Sequence, residues 1–129
     1  MQRDVYSGYV RLYGEEDRDT GMVAENYALG LIRLKRFEEA KSLLRKTIPV
    51  VRRVLGDNDG LTLRVRGVYA QALYFDAEAT LDDLREAVTT LEEVERIARR
   101  VLGGSHPITT RIEESLRAAL RARETPPPA

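Results

Sequence analysis

His106 is the one histidine among 129 residues, and it stands directly before Pro107. To act as a general base it would need a positioned nucleophile or substrate proton within reach. Its place before a proline at a helix start reads as structural. The run Asp57-Asn58-Asp59-Gly60 has the composition of a calcium loop. With Gly60 as the invariant glycine, the twelfth position falls on Arg66, where a bidentate glutamate is required. The ligand set fails, and the run reads as a turn. No glycine-rich phosphate loop, H-E-x-x-H helix or nucleophile elbow is present. The chain has no cysteine, which excludes disulfides and thiolate metal sites. These residues predict a chain that is not an enzyme and uses no cofactor or metal. Its chemistry is recognition.

Composition narrows what is recognised. Lys+Arg and Asp+Glu number 21 each. A nucleic-acid binder carries a basic excess, because phosphate contacts dominate affinity, so no nucleic-acid partner is expected. Hydrophobic residues make up 43% and charged residues 33%, and the apolar runs fall far short of the roughly 20 residues of a bilayer helix. No membrane partner is expected. Met1-Gln2-Arg3-Asp4 opens the chain without an apolar signal stretch. The simplest expectation is a cytoplasmic protein with one domain, residues 1–124, and a disordered Pro-rich tail, residues 125–129.

The elements that would position a recognition surface are helices. Apolar residues recur every three or four positions, as in Phe37, Ala40, Leu43, Leu44, Ile48, Val51 and Leu55, and again in Leu84, Ala87, Val88, Leu91, Val94 and Ala98. The breaks are polar or glycine-rich: Gly14 to Asp19, Gly56 to Gly60, and Gly103 to Pro107. They predict six helices, about 4–13, 20–34, 37–55, 61–77, 81–102 and 107–123. Pro49 falls inside the third, removes the bond to the Arg45 carbonyl, and is expected to kink or break it.

The pattern repeats. Arg11-Leu12-Tyr13-Gly14, Arg53-Val54-Leu55-Gly56 and Arg100-Val101-Leu102-Gly103 end three helices, at spacings of 42 and 47 residues. Tyr27-Ala28 aligns with Tyr69-Ala70, and Ala40 with Ala87, with five extra residues in the second unit near Phe75 to Thr80. Each unit is a helix A, a tight turn and a helix B. Such a pair cannot bury its apolar face alone, so pairs must stack. The expected fold is all-α: an alpha-alpha superhelix of about two full helical hairpins, with a flanking helix at each end. The A helices line its concave side, and Ala28, Ala40, Ala70 and Ala87 allow close approach.

Asn26-Tyr27-Ala28, Glu39-Ala40 and the junction Leu102-Gly103-Gly104-Ser105-His106-Pro107 resemble three elements of the tetratricopeptide repeats of kinesin light chain, over about residues 4 to 120. The second junction lacks His-Pro, and the family asparagine is replaced by Val68 and Ser115 in the later units. The resemblance implies a protein-binding adaptor or scaffold with a peptide in the concave groove. It implies that Asn26, through its amide donor and acceptor, bonds a peptide backbone. Met22, Glu25, Leu29 and Arg33 on the first A helix are then groove residues. So are Arg64, Val68, Gln71 and Tyr74 on the second, and Arg111 and Ser115 on the last. The recurring arginines would favour an acidic peptide through paired hydrogen bonds to carboxylates.

Charge is segregated along the chain. Arg33 to Arg66 holds ten basic and four acidic residues, and Asp76 to Glu95 holds eight acidic and one basic. This is expected to pair adjacent repeats across their solvated edges. The first helix presents Val5, Tyr9, Leu12 and Tyr13. If bare, that patch would seek a partner. The alternative reading is therefore a structural module that forms a homodimer through its terminal helices, or an accessory repeat segment of a larger signalling protein.

Overall fold

Three junctions of the same construction set the architecture. Gly14, Gly56 and Gly103 have φ of +84°, +88° and +92°. At Gly56 and Gly103 ψ is 163° and 157°, a region open in practice only to glycine. Three residues on, Asp17, Asp59 and His106 each donate a backbone N–H to the carbonyl of that glycine. Asp17 and Asp59 then cap the next helix, accepting from the N–H of Asp19 and of Leu61 at 2.8 Å. His106 does the same with Nδ1, which accepts from Ile108 N–H at 3.1 Å. Three residues beyond each cap stands a buried threonine: Thr20, Thr62 and Thr109.

The computed structural model describes residues 2–124. The Pro-rich tail expected at 125–129 lies outside the described residues. Among them the helices are α1 (Gln2–Tyr13), α2 (Arg18–Arg33), α3 (Phe37–Leu55), α4 (Gly60–Tyr74), α5 (Leu81–Leu102) and α6 (Pro107–Glu124), with no strand. Most boundaries fall within one or two residues of expectation, and three departures have a visible cause. α2 begins two residues earlier, because Asp17 caps it. α4 ends at Tyr74 instead of 77, because Asp76 turns the chain: its Oδ1 accepts from Glu78 N–H and its carbonyl from Ala79 N–H. Pro49 does not break α3, which runs through it. Arg45 and Pro49 both face solvent, so water can take the freed carbonyl. The expected extra residues form the α4–α5 connection, which closes on a reciprocal cap between Thr80 and Asp83.

Each helix packs on its sequence neighbours. In addition α2 packs on α4 and α4 on α6, whereas α1, α3 and α5 make no helix-to-helix contact with one another among the described residues. Two layers follow: an A layer of α2, α4 and α6 in mutual contact, and a B layer of α1, α3 and α5 splayed apart. A stack whose members touch on one side and separate on the other is curved, with the touching layer on the concave side. α4 sits at the centre. All of its residues except Gly60, Arg64, Gln71 and Tyr74 are buried, so it lacks the one-sided pattern of α3 and α5. Ala28, Ala40, Ala70 and Ala87 are fully buried at the helix crossings. At Gly21 an added Cβ would lie 3.2 Å from Leu61 Cδ2 and 3.3 Å from Val51 Cγ1. The start of α2 therefore fits closely against α3 and α4, and a Cβ there would have to push the Leu61 and Val51 side chains back.

The segregated charges meet across the stack. Arg66 of α4, buried, bonds Glu93 of α5 at 3.0 Å. Tyr69 donates to Glu86 of α5 at 2.7 Å and lies under the Arg45 guanidinium of α3, 5.9 Å from the ring centre. Arg53 bonds Glu16, and one repeat later Arg100 bonds Asn58. These two links occupy equivalent positions and tie each B helix to the junction before it.

Candidate concave site

The A layer encloses a cleft of about 160 Å³ between α2, α4 and α6. Its floor is apolar: Leu29 from α2, Gly67 and Val68 from α4, Ile108 and Ile112 from α6. Glu25, Arg64, Gln71, Arg111 and Ser115 complete the lining. Gly67 keeps the cleft open, since an added Cβ there would stand 4.0 Å from Ile112 Cγ1.

Repeat geometry places these side chains. Arg64 and Arg111 occupy the same position of successive A helices, five residues past the cap, and Met22 holds that position in α2. Val68 and Ser115 are likewise equivalent to Asn26. The cleft thus continues along α2 as a strip formed by exposed Met22 and Asn26. Arg64 Nε lies 3.2 Å from Glu25 Oε2, and the glutamate side chain is 12% exposed. This pair neutralises the floor, while Arg111 is exposed and makes no ion pair among the described residues. Gln71 Nε2 reaches Ser115 Oγ at 3.5 Å. Burial raises the Tyr74 pKa above its ordinary value, opposed in part by the Ser115 hydroxyl.

Of the groove residues expected from sequence, the structure gathers Glu25, Leu29, Arg64, Val68, Gln71, Arg111 and Ser115 around one cleft. Met22 and Asn26 border it on the strip. Arg33 is exposed in the last turn of α2, at the position that Phe75 holds just after α4, and lies outside the lining. Tyr74 packs edge-on against Phe75, with ring centres 4.9 Å apart, and faces a second depression toward Leu84 and Ala122. Sequence reasoning missed Gly67, Ile108 and Ile112. Ile108 and Ile112 recur with Arg111 and Ser115 at helical spacing on α6, and that periodicity was the available signal. A wider, more open depression between the turns at Lys35–Glu39 and Phe75–Glu78 is lined by Phe37, Phe75 and Ala77 and ringed by charges of both signs.

Among the described residues no three His, Asp or Glu side chains converge as metal ligands, and no helix is long and apolar enough to cross a membrane. The two-layer stack of A–B hairpins defines a helical repeat protein. Residues 22–59, from Met22 on α2 to the Asp59 cap of α4, match the family model of the tetratricopeptide repeat. A comparison with curated proteins gave no match. The family match covers one A–B hairpin, α2 with α3, and is similarity to the tetratricopeptide repeat, a class of protein-interaction modules.

Proposed function

We propose that the protein is a non-catalytic adaptor that binds an extended peptide segment of a partner along the A layer. An apolar side chain enters the cleft, and a flanking carboxylate meets Arg111. The observation that carries this reading is the pairing of an apolar floor with an arginine that has no carboxylate partner among the described residues. Water leaves Leu29, Val68, Ile108 and Ile112 on binding, at about 25 cal/mol per Å² of apolar surface. The guanidinium adds direction, because its fixed fork matches a carboxylate. Arg64 contributes less, since Glu25 already engages its Nε. Asn26 and Gln71 supply amide groups to peptide backbone along the strip.

The test is fluorescence anisotropy with labelled, end-blocked dodecapeptides that carry one leucine among Asp and Glu, against the same peptides with Lys in place of the acids. The acidic set is expected to bind tighter, with an advantage that shrinks between 50 and 500 mM salt. Arg111→Glu should weaken it about tenfold or more, and Asn26→Ala by a few fold. Equal binding of both sets, or an unchanged affinity in Arg111→Glu, would refute the reading.

A further inference from the structure

The two ends of the stack are finished differently. α6 would present to a following B helix the face that α2 and α4 present to α3 and α5. At the position where those helices carry Ala28 and Ala70, both fully buried, α6 carries exposed Arg117. A polar residue there makes α6 an end cap. α1 is a B helix, no A helix packs on its outer face among the described residues, and that face is apolar. Val5 aligns with Val94, counting back from Gly14 and Gly103. Val94 is 0% exposed and Val5 is 51% exposed. Leu12 beside it is 73% exposed. Gly8 lies between them, and no atom stands within 4 Å of where its Cβ would be.

We propose that this face is a homodimer interface in which α1 packs antiparallel on α1 of a second copy. The charge pattern selects that occupant. Asp4 and Arg11 lie on one side of the stripe, seven residues apart, as Val5 and Leu12 do along it. A two-fold axis near Gly8 sets Val5 of one protomer against Leu12 of its partner, and the same operation sets Asp4 against Arg11 twice. A surface complementary to itself under a two-fold is the signature of an isologous contact. Gly8 at the crossing lets the two backbones approach. A head-to-tail contact would press the stripe onto Arg117 instead. A 12-residue helix is about 18 Å long, which places the buried area at the small end of specific interfaces. Micromolar affinity or weaker follows.

Sedimentation equilibrium of the full chain from about 5 to 500 µM tests this, with circular dichroism to check folding. The wild type is expected to rise from 14.6 kDa toward twice that mass. Asp4→Arg and Arg11→Asp should each shift the midpoint upward about tenfold, since each places like charges opposite one another. An equimolar mixture of the two variants should restore association, because both cross-pairs are then complementary. A wild type that stays monomeric at 500 µM overturns the proposal and leaves the stripe to another helix or partner. Growth beyond the dimer, or a mixture no better than its components, overturns it equally. The cleft is not involved, so failure here leaves the peptide-binding reading untouched.

Discussion

Arg66 is a buried cation that is only half answered, and separating its charge from its bulk tests how the core tolerates it. The side chain is 7% exposed. Nη2 bonds Glu93 Oε2 at 3.0 Å, and Nη1 is buried without an acceptor. Removing Glu93 forfeits a charge-assisted bond worth about 1.5–3 kcal/mol and leaves both nitrogens unmatched. The Glu93 side chain is 42% exposed, so water can reach the vacated space, and a loss of about 2 kcal/mol is expected for Glu93→Ala. Arg66→Met keeps the packed stem and removes the orphaned nitrogen, so its net effect should fall within about 1 kcal/mol of zero. The double variant should match Arg66→Met, since Glu93 then simply solvates. For a domain of this size, 1 kcal/mol moves Tm by about 3–4 °C. Thermal unfolding at 222 nm should thus show Glu93→Ala lower by about 7 °C and Arg66→Met nearly unchanged. Equal losses in the two single variants would refute the reasoning, because the pair would then be a net stabiliser in its own right.

Other expectations can be checked with the same assay. Gly30 is helical, in the last turn of α2, and an added Cβ meets only the movable end of Gln2, so Gly30→Ala should gain about 0.5–1 kcal/mol from helix propensity. Gly56→Ala and Gly103→Ala meet no atom yet force alanine into a conformation reserved for glycine, so each should lose about 1–3 kcal/mol. Asp59 is held below the usual carboxylate range, first by its bond to Arg18, then by the Leu61 N–H. A lowered folded pKa gives stability that is present above the unfolded value of about 3.9 and is lost as pH falls through the folded one. Asp59→Asn, which keeps the cap, should flatten the acid limb of stability between about pH 5 and 2, read from urea midpoints.

How legible the fold was depended on whether the information was local. Glycines at 14, 56 and 103 and the apolar periodicity place all six helices within a few residues of the structure. Errors came where a side chain overrides propensity. Asp17 pulls the start of α2 forward, and Asp76 stops α4 although Ala77 and Glu78 favour helix. Pro49 was expected to kink or break α3, and it does not break it because Arg45, whose carbonyl it frees, faces water. In the site, the A-helix register brought seven expected residues to one cleft. Ile108 and Ile112 were missed because the angle at which α6 crosses α4 decides which face it shows, and that angle is a property of packing. The charge expectation was also incomplete: Arg64 is answered by Glu25, 39 residues away in the chain.

The splayed B layer has a mechanical consequence. α3 and α5 are joined across the outer face through α4, by way of the Tyr69 hydroxyl to Glu86 and the stacked Arg45 guanidinium. Opening the B layer would therefore strain side-chain bridges first, this one together with Arg53–Glu16 and Arg100–Asn58, because no B helix packs on another among the described residues.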